Sequence, residues 1–402
     1  MLKEQASALS DLKILDISTM LAAPWSSTFL ADFGAQVVKV EHPIKGDHAR
    51  QYGQQKDGVS VLWKTLNRNK KSITLDLSSI EGQDILKEII PQFDVIVENF
   101  RPGTLEKWNI GWDVLSAINP SLVMLRTTGY GQSGPYSSRA GFGTVAEAIS
   151  GFTSVNGNPD GPPTLPGLSL ADGVNSAFGA LSIMIALHER AANGKKEGQC
   201  IDISLYEPLM RLLEPHISAY DQLGYIAPRV GNGSVSVAPR NAYETKEGRW
   251  VALSGATQSI ATNIFTAIGQ RDLINDPRFT TNEQRVKNSK ELDIIIGSWI
   301  KERPLEVVFE TFNECGAVIG AMNDMGDLFE DPHFKARESF IKMQDKEMGE
   351  VTIPNVVAKF SRTPGKVESL GADKGQHTNE FYKEILGLSE EAMKELKEKN
   401  II

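Results

Sequence analysis

The chain has 402 residues, enough for two or more domains, and its 41% hydrophobic and 23% charged residues are typical of a soluble globular protein. A formal net charge of −9 argues against a nucleic-acid-binding protein, which usually carries a clustered basic excess. The two distant cysteines exclude a cysteine-built metal cluster and indicate a reducing compartment. Residues 1–7 lack the apolar core of a signal peptide, and no apolar run reaches the ~18 residues that a membrane helix needs. We therefore expect a cytoplasmic protein without nucleic-acid or membrane partners.

The first half of the chain alternates predicted strands and helices. A strand at Leu12–Ile17, a helix at Pro24–Phe33 and a strand at Gln36–Glu41 form a βαβ unit, which places parallel strands in a covered sheet. This pattern predicts the α/β class. The further predicted elements of this half are strands at 72–77, 94–98, 122–126 and 199–204, helices at 79–90, 144–149 and 206–223, an apolar helix after Asp172, and a turn at 193–198.

Residues Gly129–Gly134 match the pattern G-x-G-x-x-G of dinucleotide-binding loops. That motif needs a helix directly behind it, and Pro135–Gly141 is not a typical helix start. The segment after the first strand, Ser18–Pro24, also lacks the glycine pattern. We therefore interpret Gly129–Gly134 as a flexible loop after a strand and expect no conventional dinucleotide site.

The character of the chain changes after residue 224. Pro228–Arg240 is rich in glycine and polar residues, and the segments Tyr243–Thr245 and Trp250–Leu253 predict an antiparallel hairpin. Helices are predicted at 260–268, 282–302 and 304–315. We expect residues 225–320 to form a smaller α+β domain. The segment 317–402, which ends in a charged helix at 390–399, is predicted to lie as a strap over something larger.

Asp172 is the first candidate for chemistry. It follows the proline-rich segment Gly161–Gly167 and opens an apolar helix, where unpaired backbone N–H groups and the positive end of the helix dipole can hold an anion. One interpretation is an N-cap, which stabilises a helix by about 1 kcal/mol. The other is a carboxylate nucleophile, with small neighbours leaving room for a substrate. The local residues leave both open.

Other catalytic patterns are missing from the sequence. The six histidines have no metal-ligand spacing, and neither a G-x-S-x-G nucleophile motif nor a G-x-x-x-x-G-K-[ST] phosphate loop is present. Lys70, Lys71, Arg101 and Lys107 lie near predicted strand ends, where open α/β sheets bind ligands, and Phe100 offers a stacking surface. As a group these residues favour an anionic ligand with a planar base, and no metal site is predicted.

The order and spacing of several segments resemble the family III CoA-transferases, which include formyl-CoA transferase and L-carnitine CoA-transferase. The resemblance runs nearly from end to end of the chain. Its segments are Leu15–Pro24, Gly34–Glu41, Asn67–Ser72, Val97–Gly103, Gly129–Tyr136, Ala171–Asp172 and Cys200–Glu207.

The resemblance implies a large Rossmann-like CoA-binding domain from residues 1–224 and 321–402, a small domain from 225–320, and an interlocked homodimer with its active sites between subunits. It implies that Asp172 is the catalytic residue and attacks the thioester of an acyl-CoA donor, giving an aspartyl anhydride and CoA thiolate. The thiolate then attacks the aspartyl carbonyl to give an enzyme–CoA thioester, and CoA passes to a carboxylic acid acceptor. Coenzyme A is thus expected as substrate and product, with neither a metal nor a redox cofactor.

The resemblance also assigns CoA contacts position by position. Arg101 and Lys107 suit phosphates, and Phe100 suits an adenine face. His42 and Leu21 stand where formyl-CoA transferase has arginine and glutamine. The implied CoA-binding residues are Leu21, Ala22, His42, Leu75, Asp76, Leu77, Ser78, Asn99, Phe100, Arg101, Lys107, Ala140, Gly141, Phe142 and Gly143.

The acid substrates are expected to meet a glycine-containing loop of the small domain. Formyl-CoA transferase has a run of glycines over its nucleophile, and the only counterpart here is the shorter Gly231–Ser234, with Gly231 and Gly233 as substrate residues. We therefore expect a substrate other than formate or oxalate. Arg229 or Arg240, which flank this loop, is a candidate for a second carboxylate, as in a succinyl or malyl donor.

Two alternatives remain open at this point. One is an α-methylacyl-CoA racemase of the same fold, which abstracts the proton α to the thioester with a His and an Asp. Its His follows the glycine of the stretch Arg139–Phe142, and Phe142 cannot move a proton, so the transferase is favoured. The other is a catalytically silent CoA-binding dimer, against which the presence of Asp172 at an accessible turn argues.

Overall fold

The structure is a computed structural model that describes residues 7–192, 194 and 196–402. The predicted turn at 193–198 lies partly outside the described residues. Of residues 1–7, in which no signal peptide is expected, only Ser7 is described. The strands, in chain order, are β1 (Lys13–Asp16), β2 (Gln36–Glu41), β3 (Gln55–Lys56), β4 (Val59–Ser60), β5 (Lys70–Thr74), β6 (Val95–Glu98), β7 (Val123–Thr128), β8 (Cys200–Ser204), β9 (Arg240–Glu244), β10 (Trp250–Ser254), β11 (Ile319–Ala321), β12 (Phe340–Asp345) and β13 (Gly349–Pro354).

The helices alternate with these strands and also form most of the C-terminal part. Short 3-10 helices lie at His48–Gln51, Ile90–Gln92 and Arg271–Ile274. The α-helices are α1 (Ala22–Ala31), α2 (Val61–Leu66), α3 (Ile80–Ile89), α4 (Thr104–Lys107), α5 (Trp112–Ile118), α6 (Gly143–Ile149), α7 (Phe152–Val155), α8 (Leu170–Ala192), α9 (Glu207–Arg211), α10 (Glu214–Leu223), α11 (Gln258–Ala267), α12 (Asn282–Lys287), α13 (Ser289–Lys301), α14 (Leu305–Glu314), α15 (Met325–Glu330), α16 (Pro332–Ala336), α17 (Thr378–Leu386) and α18 (Glu390–Glu398).

A six-stranded parallel sheet confirms the α/β prediction. Its strand order is β5–β2–β1–β6–β7–β8, and every neighbouring pair is parallel. The chain builds outward from β1 to β5 and then returns to place β6 on the other side of β1. The order therefore reverses between β1 and β6. In open α/β sheets, ligands bind at such a switch point, outside the carboxyl ends of the strands.

The sheet is covered on both faces because its strands are apolar in both directions. Ile14 and Leu15 are adjacent and fully buried, and they enter different core clusters, as the two-residue period of a strand requires. The Ile14 cluster includes Leu30 of α1 and Ile183 of α8. The Leu15 cluster includes Leu86 of α3 together with side chains of α17 and α18. Three layers result, with α1 and α8 on one face.

The C-terminal segment completes the core of the sheet. Phe381, Tyr382 and Met393 belong to the Leu15 cluster, and the Tyr382 hydroxyl donates to the Thr74 carbonyl at 2.9 Å. Before these helices, β12 and β13 form an antiparallel hairpin. The segment predicted as a strap thus supplies packed helices at its C-terminal end.

The described residues divide into two compact units. The second unit contains the antiparallel sheet β11–β10–β9, whose side chains pack with those of α11, α13 and α14 around Phe265 and Phe312. The domain prediction put boundaries at 225 and 320 and left 153–165 in the large domain. The first unit comprises the described residues up to Phe152, Pro166–Pro215 and Lys335–Ile402, and the second comprises Thr153–Leu165 and His216–Phe334.

Two predicted helices are interrupted in the structure. The predicted helix at 206–223 is divided into α9 and α10, because Pro215 in the first turn of α10 has no N–H to donate and its ring would clash with a preceding turn. The predicted helix at 282–302 is divided at Asn288. The Asn288 side chain donates to the carbonyls of Gln284 and Arg278, so it competes with the helical backbone.

Helix α8 corrects one expectation about apolar runs. By length and composition it is long and apolar enough to span a membrane, since an 18-residue stretch of it has a mean hydropathy of 1.5, so the prediction that no such stretch is present is wrong. In the structure, one side of α8 packs into the core through Gly179, Ala180 and Ile183. Its apolar character therefore also serves the packing of a core helix.

Candidate active site

The loop after β1 lies at the switch point and is held by side chains from two other segments. Asn99, which follows β6, accepts from the Thr19 N–H at 2.8 Å and donates to the Thr19 carbonyl at 2.7 Å. Asp47 accepts from the Met20 N–H at 3.1 Å. Met20 has a φ of +67°, a conformation that a non-glycine residue adopts only when its surroundings hold it there. The loop Thr19–Ala22 is therefore pre-organised.

Four buried charged side chains lie beneath this loop, and we call them the charge quartet: Asp16, Lys39, Asp47 and Lys70. Lys70 contacts Asp16 at 2.9 Å, and Lys39 contacts Asp47 at 3.0 Å and Asp16 at 3.6 Å. Burial opposes ionisation of Asp16, but Lys39 and Lys70 hold its pKa well below the usual value. Burial lowers the pKa of Lys70 to about 8. Two positive and two negative groups thus balance.

A small cavity of about 110 Å³ lies at the carboxyl ends of β2 and β5, and we call it the His42 cavity. Nδ1 of His42 accepts from the Ile44 N–H at 3.1 Å, so Nε2 carries the hydrogen and lies 3.9 Å from Asp76. Asp76 in turn accepts from the Ser78 hydroxyl at 2.6 Å. Of the predicted CoA residues, the structure gathers in this cavity His42, Leu75, Asp76, Leu77, Ser78 and Phe100.

Phe100 is fixed before any ligand arrives. Its ring meets Trp108 edge to face, with centroids 5.2 Å apart, and its N–H donates to Glu98 at 2.7 Å. The other carboxylate oxygen of Glu98 accepts from Arg126 at 2.6 Å, and Arg126 also contacts Glu106 of α4. These contacts fix the position of Phe100, which lines the His42 cavity.

A larger cavity of about 280 Å³, which we call the Asp172 cavity, adjoins the first, because Thr19 and Phe100 line both. It is lined by residues of the loop after β1, the loop after β6, and the long loop between β7 and α6. Asp172 lines it from the first turn of α8. The predicted residues that it gathers are Leu21, Ala22, Asn99, Phe100, Arg101, Ala140, Gly141, Phe142 and Asp172.

Asp172 is the third residue of α8, so it lies inside the helix and not at an N-cap position. Burial, and then the charge of Glu147, raise the pKa of Asp172 to about 6. Gly143 approaches this carboxylate so closely that an added Cβ would overlap Oδ2. Asp172 is therefore a mostly buried carboxylate with a raised pKa that lines a cavity. The backbone of Gly143 lies against it, where no side chain would fit.

The remaining predicted residues are not among those that line the two cavities. Lys107 ends α4, next to Trp108 of the His42 cavity. Arg229 donates to the carbonyls of Asn158 at 3.3 Å and Gly161 at 2.8 Å, and Gly231 donates its N–H to Gly157, so both are tied to the backbone of the second unit. Arg240 is exposed and makes one long hydrogen bond, at 3.3 Å, to the Gly233 carbonyl.

Sequence reasoning missed several residues of the Asp172 cavity. His48 and Arg139 line it, and the quartet residue Asp47 holds its wall. Their positions in the sequence could have indicated them. His48 and Asp47 follow β2, and Arg139 lies in the loop after β7, so each is placed after the end of a strand, where open α/β sheets bind ligands. Glu147 had no such signal, because its neighbourhood depends on how α6 packs against α8.

Comparison with known proteins identifies the family. A sequence model of the family described as CoA-transferase family III matches residues 9–378 of this chain. The chain is 41% identical over 395 residues to succinyl-CoA–D-citramalate CoA-transferase of Chloroflexus aurantiacus, covering 98% of each protein. It is 39% identical to the beta subunit of succinyl-CoA–L-malate CoA-transferase of the same organism, again with 98% of each covered.

A solved structure has the same fold. The CAIB/BAIF family protein from Brucella suis is 30% identical to this chain, with a TM-score of 0.83, 95% of this chain and 100% of the other being covered. The chain therefore belongs to CoA-transferase family III and is an enzyme of that family.

Proposed function

We propose that this enzyme moves CoA from an acyl-CoA thioester to a carboxylic acid by covalent catalysis on Asp172. Asp172 would attack the thioester carbonyl and expel CoA thiolate, leaving an aspartyl anhydride. The thiolate would then attack the aspartyl carbonyl, release the donor acid and form an enzyme–CoA thioester. The supporting observation is the position of Asp172, a largely buried carboxylate whose pKa is raised to about 6, on a cavity at the switch point of the sheet.

The two adjoining cavities offer a path from the Phe100 ring to Asp172. We place the adenine in the His42 cavity against the fixed ring of Phe100, and the pantetheine arm along the Asp172 cavity past Leu21 and Ala22. Arg101 and Lys107 would bind the phosphates, because no ion pair holds either of them within the described part of the chain. The chemistry proposed for Asp172 itself requires neither a metal nor a redox cofactor.

We propose dicarboxylic acids as substrates, with succinyl-CoA as donor. The support is that relatives at 41% and 39% identity are named as succinyl-CoA-dependent transferases acting on D-citramalate and L-malate. Arg240 is the preferred partner for the second carboxylate, since the Arg229 guanidinium already donates to two backbone carbonyls. Gly231 and Gly233 would then belong to the loop that closes on the acid.

We also propose a cytoplasmic homodimer with interlocked chains, as the family resemblance implies. Exposed apolar side chains of the first unit support association, since a monomer rarely leaves many of them in water. They include Phe142, Val145, Leu168, Leu181 and Ile185. Light scattering after size-exclusion chromatography tests this, and a monomer at micromolar concentration would overturn it.

The decisive experiment looks for the covalent intermediate. The protein is mixed with succinyl-CoA without acceptor, digested and examined by mass spectrometry, with borohydride to reduce a trapped thioester. The expected result is a CoA adduct, or a reduced aspartate, on the peptide carrying Asp172, and neither in Asp172→Ala. A racemase would instead exchange the α-proton of a 2-methylacyl-CoA in deuterium oxide without an adduct. Bound CoA with neither signal would indicate the silent CoA-binding protein.

The acceptor assignment has its own test. Arg240→Ala is expected to raise the KM for a dicarboxylate acceptor several-fold, about tenfold if a charge-assisted contact is lost, with kcat little changed. A monocarboxylate acceptor serves as the control. An unchanged KM for every dicarboxylate tried would remove Arg240 from the site.

A further inference from the structure

Glu147 lies on α6 beside the first turn of α8. It is only 3% exposed, and its Oε1 accepts from the Ala171 N–H at 3.3 Å, which satisfies one of the free amides at the start of α8. Gly143 precedes Glu147 by four residues and therefore lies on the same side of the helix. Helix α6 thus presents two successive turns to Asp172, one without a side chain and one with a carboxylate.

Among the residues that the structure describes, Asp172 and Glu147 lie close together without a neighbouring cation, whereas basic side chains line other parts of the Asp172 cavity. In the described part of the chain, neither Asp172 nor Glu147 has a cation within ion-pair distance, and α1, packed against α8, contains no charged residue. Glu207 of α9 accepts from the Ser204 hydroxyl at 2.7 Å. The basic groups that line the Asp172 cavity are His48, Arg101 and Arg139, and Arg139 stacks on Tyr136 at 3.6 Å.

We propose that Glu147 is a positioning residue that decides which side of the aspartyl anhydride is broken. The inference rests on the proposed function of Asp172 and concerns the step that follows anhydride formation. Glu147 would act through its buried negative charge and through its hydrogen bond to Ala171, without touching the substrate.

The choice between the two sides is a choice of leaving group. If the CoA sulfur attacks Cγ of Asp172, an S–Cγ bond forms, the bond from Cγ to the bridging oxygen breaks, and the donor acid leaves as a carboxylate with that oxygen. If the sulfur attacks the acyl carbon, Asp172 leaves as the carboxylate and the donor thioester is restored. A negative Glu147 beside Asp172 disfavours the second outcome, because two like charges would then lie together in a poorly solvated place. The enzyme–CoA thioester therefore forms in preference.

Glu147→Gln tests this proposal without removing the packing contact, since the glutamine Oε1 still accepts from Ala171. The measurement is the rate of CoA-adduct formation on the Asp172 peptide as a function of pH, with succinyl-CoA and no acceptor. We expect a rate about three- to tenfold lower at pH 8, because Asp172 becomes less basic and a better leaving group. We also expect the acid limb of the pH–rate profile to move to lower pH by about half a unit or more, because removing the charge of Glu147 lowers the pKa of Asp172.

The controls separate charge from structure. Glu88→Gln removes a charge from the exposed face of α3 and is expected to match the unaltered enzyme. Glu147→Asp keeps the charge and is expected to keep the acid limb within about 0.3 unit, even if the rate falls. A Glu147→Gln enzyme with the rate and pH profile of Glu88→Gln would overturn the proposal. Failure of the unaltered enzyme to form any adduct would instead overturn the role of Asp172.

Discussion

Buried charge is arranged in two opposite ways within the first unit. In the charge quartet, the ammonium groups of Lys39 and Lys70 contact the carboxylates of Asp16 and Asp47, and the net charge is zero. Asp172 and Glu147, in contrast, are two carboxylates without a cation at ion-pair distance in the described residues. The balanced group offsets the cost of desolvation and shapes the loop above it. The unbalanced pair costs stability and yields a basic carboxylate, which is the kind of perturbation found at functional sites.

Asp172→Asn is expected to have the largest effect on catalysis and the opposite effect on stability. CoA transfer should fall by about a thousandfold or more, because the amide cannot form the anhydride. The folded-state pKa of about 6 exceeds the ordinary value of 3.8, so the native protein binds this proton more tightly than the unfolded chain. The free energy of unfolding therefore falls as pH rises from 3.8 to about 6 and stays low above it.

The stability half of this prediction is measured by urea unfolding at pH 8. Asp172→Asn should raise the free energy of unfolding by about 1–3 kcal/mol, because a charge that the fold disfavours is gone. At pH 4, where most native Asp172 is protonated, the gain should shrink. If Asp172→Asn lost stability at pH 8, the negative charges of Asp172 and Glu147 would be compensated by other groups, and the contrast with the charge quartet would not hold.

Asp16→Asn makes the same chemical change in the balanced group and should have the reverse effect. It leaves Lys39 and Lys70 with one carboxylate between them and weakens the hydrogen bond to Ser27, which is 2.8 Å long. Removing one partner of a buried ion pair costs about 3–5 kcal/mol, so urea unfolding should show a loss of that size. Glu88→Gln is the control for removal of a surface charge. A change smaller than ~1 kcal/mol would mean that the quartet is not structurally important.

The fold could be predicted further than the site, and for a physical reason. Apolar periodicity placed β1, β2, β6 and β8 within one or two residues, because strand burial is encoded by neighbouring residues. It failed where one side chain competes with a helix, as at Pro215 and Asn288. The resemblance to family III, carried by ordered motifs, is confirmed by the family match.

The site depends on contacts between segments that are distant in sequence. The carboxyl ends of parallel strands could be predicted to collect Phe100, Arg101 and His42, because they share one edge of the sheet. Glu147 could not be found in this way, because its relation to Asp172 arises from the packing of α6 against α8 across 25 positions. Likewise, the two hydrogen bonds between the Asn99 amide and Thr19 could not be predicted, because they join loops that are 80 positions apart in sequence.

Gly143→Ala tests how closely the wall of α6 must approach Asp172. An added Cβ would overlap Oδ2, so the carboxylate must rotate or α6 must shift. We expect kcat to fall about ten- to a hundredfold with little change in the KM for acyl-CoA, because a misplaced reacting group loses orientation before it loses binding. Ala148→Gly, on the exposed side of the same helix, is the control for helix propensity. A fully active Gly143→Ala enzyme would show that catalysis tolerates displacement of the Asp172 carboxylate or of α6.

Asp47→Asn tests whether the charge quartet affects the candidate active site, and we expect it to have the smallest effect on the kinetics. The asparagine can still accept from the Met20 N–H, but its amide no longer pairs with Lys39 and the strained loop Thr19–Ala22 should loosen. Because this loop lines both cavities at Thr19, the KM for acyl-CoA should rise about three- to tenfold while kcat changes less than about twofold. Asp57→Asn on the exposed turn between β3 and β4 is the matched control. If kcat fell instead and KM were unchanged, the quartet would act on Asp172 rather than on the loop, and the two kinds of buried charge would be one coupled system.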